Sequence, residues 1–350
     1  MVARYRSMVQ QSNLSSLPRY TSAPSSPPHP RPNLLLISFR FGVSVVALAA
    51  IVGTLLSILQ PRELSLDTVA AQAIAPDVTN ADLPPERPLG NLQQKIQQLV
   101  TRQPKLSAGL YFFNLDSGAA LNVGGDDVFP AASTIKIPIL VAFFKAVDEN
   151  RISLSERLTM RPDLIAPEAG TLQYQKPNSQ YPALEVADLM ITISDNTATN
   201  MLIDRLGGAA VLNQQFQEWG LKDTVINNLL PDMEGTNTTS PRDLATLMLK
   251  IGQGELVSPR SRDRLLDIMR RTVTNTLLPA GIGPGATIAH KTGDIGTVVG
   301  DAGMVDMPNG QRYVAAMMVK RPYNDPQGSE LIRQVSRLAY QAFEKTPPQP

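Results

Sequence analysis

Residues 131–140 read Ala131-Ala132-Ser133-Thr134-Ile135-Lys136-Ile137-Pro138-Ile139-Leu140, and the chain changes period there. Phe129-Pro130 leads in, and proline is well tolerated near a helix start. Ser133 is therefore expected in the first turn of a helix, with Lys136 three residues on and on the same face. Upstream, LQQKIQQLV (92–100) has helical spacing behind Asn91, and AGLYFFNL (108–115) with AALNV (119–123) flank a short Asp-Ser-Gly turn as a hairpin. Downstream, to about Gly254, the runs 137–147, 184–193, 196–206, 210–219 and 241–251 all place apolar residues three and four apart. Strand signals return at 287–293, 300–307 and 312–320, the last two separated by Pro308-Asn309-Gly310, and 329–343 closes as an amphipathic helix. This order predicts an α+β fold over 90–345: an antiparallel five-stranded sheet covered by helices, plus an all-helical lobe at about 131–255. A cleft between the two is the expected ligand site.

Composition narrows the chemistry. The 350 residues carry 32 Lys+Arg against 31 Asp+Glu, so there is no basic footprint for nucleic acid. No cysteine means no disulfide, thiol nucleophile or thiolate metal site, and His29 and His290 alone leave little for an imidazole-rich centre. Neither a metal nor another cofactor is expected. Hydroxyls, amines and carboxylates remain.

The N-terminal quarter reads differently. Residues 1–40 hold Arg4, Arg6, Arg19, Arg31 and Arg40 with no acid, and six prolines fall between Pro18 and Pro32, the composition of a disordered basic tail. The next 19 residues, 41–59, carry no charge; as a helix they would span about 28 Å, close to a bilayer core. This predicts one transmembrane anchor, with the arginine tail in the cytoplasm and the rest of the chain outside it, in the periplasmic or extracytoplasmic space. A cleaved signal peptide is the competing reading, with Ala71-Gln72-Ala73 as its cleavage triplet. Residues 60–88, with five prolines, read as a tether.

Three short strings fall on the borders of the expected cleft. Ser133 and Lys136 juxtapose a hydroxyl and an amine, and a lysine desolvated near other cations can accept the serine's proton. Ser194-Asp195-Asn196, between two helical runs, offers a second hydroxyl and an amide. Lys291-Thr292-Gly293 lies on a predicted strand, where glycine lets a ligand backbone approach. Each string alone is weak; their order, S-x-x-K, S-D-N, K-T-G, is a known signature of class A β-lactamases and penicillin-binding proteins.

The sequence thus resembles the class A β-lactamase family of penicillin-recognising serine enzymes, over about residues 90–345. The stretches 187–208 and 236–248 resemble the family's S-D-N helix pair and the segment leaving its omega loop. The resemblance implies that Ser133 is the nucleophile, that Lys136 helps remove its proton, and that Ser194 relays a proton to the leaving nitrogen. It further implies that Asn196 bonds the substrate side-chain amide, and that Lys291 and Thr292 hold the substrate carboxylate. The oxyanion hole would be the backbone N–H groups of Ser133 and Asp294, although an acid is an unexpected neighbour for a developing negative charge. The bound partner would be a β-lactam or a peptidoglycan peptide.

Two departures qualify this. At the family's usual distance before Thr238-Thr239-Ser240-Pro241 the deacylating glutamate would fall near Thr224, where there is none. Either Glu234 in a shortened loop takes its place, or deacylation is slow or uses another base. The family's arginine on the strand after K-T-G is also missing from 296–305. The expected function is a membrane-anchored β-lactam hydrolase acting through a Ser133 acyl-enzyme; a D,D-peptidase or slow-deacylating penicillin-binding protein is the alternative, and an acylated sensor a third.

Overall fold

The computed structural model describes residues 86–346; the tail, the anchor and all but the last residues of the tether lie outside this range. The chain enters with a two-residue strand β1 (Arg87–Pro88) and helix α1 (Gly90–Thr101). The hairpin follows as β2 (Ser107–Asn114) and β3 (Ala119–Val123), turned by Asn114, whose side-chain oxygen accepts from the N–H groups of Asp116 and Ser117. The three late strands are β8 (Thr287–Asp294), β9 (Val298–Asp306) and β10 (Arg312–Lys320). Sheet order is β1-β3-β2-β10-β9-β8.

The sheet therefore has a sixth strand beyond the expected five. β1 pairs parallel to β3, with Arg87 opposite Ala119 and Pro88 opposite Ala120, inside the segment read as tether. An edge strand tolerates Pro88, since the two N–H groups that bond β3 belong to Arg87 and Leu89.

Both faces of the sheet are covered, which explains why its strands are almost continuously apolar. Leu110 and Phe112 of β2, with Tyr313 and Met317 of β10, pack against α1 and the C-terminal helix α8 (Pro326–Lys345). Tyr111, Phe113, Val314 and Met318 face the other way, into the helical lobe. That lobe contains α2 (Lys136–Asp148), α3 (Ala183–Thr192), α4 (Asn196–Arg205), α5 (Ala209–Glu218), α6 (Pro241–Gln253) and α7 (Pro259–Arg270). Small two-strand ladders, β4 (Phe129–Pro130) with β7 (Thr238–Thr239) and β5 (Arg157–Thr159) with β6 (Gln180–Pro182), tie its loops together. Trp219, Met317 and Met318 are buried core residues.

Candidate active site

Ser133 sits in a 3-10 turn (Ala132–Ile135) that runs directly into α2, whose first residue is Lys136. The turn is entered by Ala132 at φ +46°, and β8 runs hard against it: a Cβ added at Gly293 would stand 2.9 Å from the Ser133 nitrogen. What the glycine of Lys291-Thr292-Gly293 admits is thus the nucleophile's own backbone. Any side chain there would push the strand off the turn.

Ser133 and Lys136 are joined through Ser194. The Ser194 hydroxyl donates to Ser133 Oγ at 3.0 Å, and Lys136 Nζ donates to Ser194 Oγ at 3.0 Å, to the Ser194 carbonyl at 2.7 Å and to Asn196 Oδ1 at 2.8 Å. Lys136 is completely buried. Burial, reinforced by the positive charge of Lys291 and opposed by Asp195, drives its amine well below the ordinary lysine pKa. Lys291 is also buried, donates to the Thr292 carbonyl at 2.8 Å, and is lowered by burial to about 8, with Asp301 opposing.

The loop between α3 and α4 is held by Asp195. Its carboxylate caps α4 through the Ala198 N–H at 2.9 Å and accepts the N–H groups of Thr171 and Leu172 at 2.7 and 2.9 Å. This local bonding leaves it no role as an acid. Asn196 places its amide nitrogen on the Pro167 carbonyl at 2.9 Å while its oxygen holds Lys136. One N–H of that amide remains for a ligand.

Ser133 and Asn196 border a cavity of about 280 Å³ whose lining also includes Glu168, Leu230, Asp294 and Tyr323. A groove of about 790 Å³ over Leu154, Leu184 and Ile268 is larger and more apolar, but none of the three motifs contributes to it. Of the six non-glycine residues with positive φ among those described, Ala132, Glu168 and Asn324 line the smaller cavity and Ser194 bonds Ser133. Left-handed backbone costs about 1–3 kcal/mol per residue and collects where geometry is enforced for function.

The remaining expected positions fall elsewhere. Thr224 is buried in a hydrogen-bonded group with Thr239 and Asp243, away from the cavity lining. Glu234 is exposed and absent from that lining. The part of this loop that lines the cavity with Ser133 is 230–233, beginning with Leu230, six positions after Thr224 and clamped by Asn200: Leu230 N–H donates to Asn200 Oδ1 at 2.9 Å and Asn200 Nδ2 donates back to the Leu230 carbonyl at 2.8 Å. Sequence reasoning missed Leu230, since only the fold brings α4 under that loop. His290 lies on the other strand face, bonded through Nδ1 to Asp301 at 2.9 Å. Asp294 turns its carboxylate to Arg321, a residue that no sequence motif marked. Among the described residues no cluster of acids and histidines could hold a metal ion.

The profile of the "Beta-lactamase enzyme family" matches residues 91–343. The chain belongs to that family. A curated relative, the extended-spectrum β-lactamase PER-1 of Pseudomonas aeruginosa, is 26% identical over 277 residues, 71% of this chain and 86% of its own. A β-lactamase of Bacillus licheniformis is 26% identical over 295 residues, 80% of this chain and 93% of its own. Among solved structures, PBP-A is 89% identical with a TM-score of 0.75, covering 75% of this chain and all of the PBP-A chain. A PBP-A mutant, matched with a TM-score of 0.74, was solved as an acyl-enzyme complex with penicillin G. This β-lactamase family member is a serine hydrolase of the class A type.

Proposed function

We propose that this β-lactamase-type hydrolase is a slow-deacylating penicillin-binding protein that acts on cell-wall peptides: Ser133 is acylated by β-lactams, and the adduct is released slowly. Ser133 attacks the amide carbonyl, and its proton passes through Ser194 to the neutral form of Lys136. Ser194 then returns a proton to the departing nitrogen. The N–H groups of Ser133 and Asp294 receive the oxyanion. Asn196 bonds the acyl amide, while Lys291 and Thr292 hold the substrate carboxylate.

The observation that carries slow release is Leu230. Hydrolysis of an acyl-enzyme needs a base within one water of the ester. Where the loop first lines the cavity it offers the isobutyl group of Leu230, 7% exposed, and Glu234 is exposed outside the lining. The other acids of the lining do not replace it. Asp232 accepts from Thr236 Oγ1 and the Asn237 N–H, Asp294 is held by Arg321, and Glu168 is exposed on the separate loop after Pro167. The penicillin G acyl-enzyme of the PBP-A mutant, in which a leucine is replaced by glutamate, supports the acylation step of this reading. Anchorage in a bacterial cytoplasmic membrane by 41–59, with the catalytic unit outside, completes the proposal and rests on the charge-free run alone.

Mass spectrometry of the protein with excess penicillin tests this directly. A mass increase that persists for hours and is absent from Ser133→Ala is the expected result. Return to the free mass with product accumulating over many turnovers would make the chain a hydrolysing β-lactamase instead.

A further inference from the structure

The end of β8 poses an electrostatic problem. Asp294 directly follows Lys291-Thr292-Gly293, and its side chain is half exposed on the cavity wall, beside the N–H groups assigned to the oxyanion. A free carboxylate there would oppose the charge that develops on the attacked carbonyl. It is not free. Arg321, just beyond β10, places Nη2 at 2.6 Å from both Asp294 oxygens and is itself only 4% exposed.

The rest of the guanidinium is occupied by backbone. Nε donates to the Gly296 carbonyl at 3.0 Å and Nη1 to the Asp325 carbonyl at 3.2 Å, while the Asp294 carboxylate also accepts the Gly296 N–H at 2.8 Å. One arginine therefore joins the end of β8, the turn after it, and the 322–325 loop that carries Tyr323 and Asn324 to the cavity. Its aliphatic part packs where Gly328 has no side chain, 2.9 Å from the position a Cβ would take.

We propose that Arg321 is a positioning residue for acylation: it neutralises and orients Asp294, so that an acidic residue can follow the K-T-G string without opposing the oxyanion. This rests on the reading that Ser133 is acylated. Removing Arg321 leaves the half-exposed Asp294 carboxylate without its charge partner on the wall of the cavity that Ser133 lines, where a unit charge weighs on the rate about 10- to 100-fold.

The test is a double-mutant cycle on the full chain. The second-order acylation rate constant is measured for wild type, Arg321→Met, Asp294→Asn and the double variant, with a penicillin and with the methyl ester of the same penicillin. Folding is followed by thermal melting, and rates are normalised to the fraction that can be labelled. Arg321→Met is expected to slow both donors about 10- to 100-fold in the wild-type background and at least about tenfold less in the Asp294→Asn background. Arg321→Lys, which keeps the charge but loses the fork, is expected to fall between wild type and Arg321→Met, and remains informative where the methionine variants do not fold.

Equal losses in the two backgrounds would make the arginine a structural brace and overturn the proposal. A loss confined to the anionic penicillin would overturn it too, by assigning Arg321 to the substrate carboxylate. Failure of wild type to form any Ser133 adduct would instead remove the reading beneath it.

Discussion

Lys136 and Lys291 are both withdrawn from water, yet their surroundings divide them. Lys136 loses basicity to burial and to the neighbouring charge of Lys291, and so is suited to accept a proton. Lys291 has Asp301 in its favour and stays near 8, protonated at neutral pH and able to face a substrate carboxylate. The acylation rate with penicillin should rise from low pH as Lys136 loses its proton and fall again through about pH 8 as Lys291 does. Lys291→Arg should carry the falling limb beyond pH 10, since a guanidinium does not titrate there; rates measured from pH 5 to 10 decide it, and an unmoved limb would reject the assignment. The same shift acts on folding. Between about pH 8 and the ordinary lysine value of 10.5, the unfolded chain holds a proton that the folded chain has released, so the Lys291 contribution raises unfolding free energy with pH over that window. Leu230→Glu gives a second prediction: a carboxylate at this lining position of the loop should speed loss of the penicillin adduct about 10- to 100-fold, read from adduct mass against time. Ser133, Lys136, Ser194 and Asn196, which the structure joins by hydrogen bonds, were picked out in sequence because each motif is local, as were Lys291 and Thr292 on β8. Leu230 and Arg321 were not, since the first depends on Asn200 thirty positions earlier and the second on a partner 27 positions away.

At the scale of elements, α4 depends on a single cap. Asp195 satisfies three backbone N–H groups from two segments, and Gly170 must lack a side chain because its Cβ would collide with that carboxylate. Asp195→Ala should cost about 2–4 kcal/mol by urea denaturation, more than a surface cap because the abandoned donors are buried. It should also slow acylation, since Ser194 and Asn196 flank it. The long strands and most helices could be read from their apolar periods. Helix α7 could not, because its first half is Ser, Arg and Asp and its buried residues Leu265, Leu266, Ile268 and Met269 crowd the second half. The two-residue strands β1, β4 and β7 are too short to show any period, and only tertiary pairing defines them.

At the scale of the molecule, the site is shared between two bodies of core. Ser133, Lys136, Ser194 and Asn196 come from the helical lobe, and Lys291 and Thr292 from the sheet. The solved PBP-A chain is matched over its whole length by 75% of this one, and every residue of the candidate site lies within 86–346. Deleting residues 1–60 should therefore leave penicillin acylation within about twofold of the full chain while moving the protein from the membrane pellet to the supernatant after ultracentrifugation. Retention in the pellet would argue against the anchor.

β8 closes the sheet order, so its outer side has no neighbouring strand. Sheet edges are normally blunted, because any extended backbone can dock on them. Here the edge is covered from within: the 3-10 turn that carries Ser133 lies against Gly293, and Thr272 Oγ1 donates to the His290 carbonyl at 2.7 Å. The liability that other folds hide behind a helix or a charge is closed here by the nucleophile's own turn, so whatever loosens that turn bares a strand edge and unseats Ser133 in the same motion.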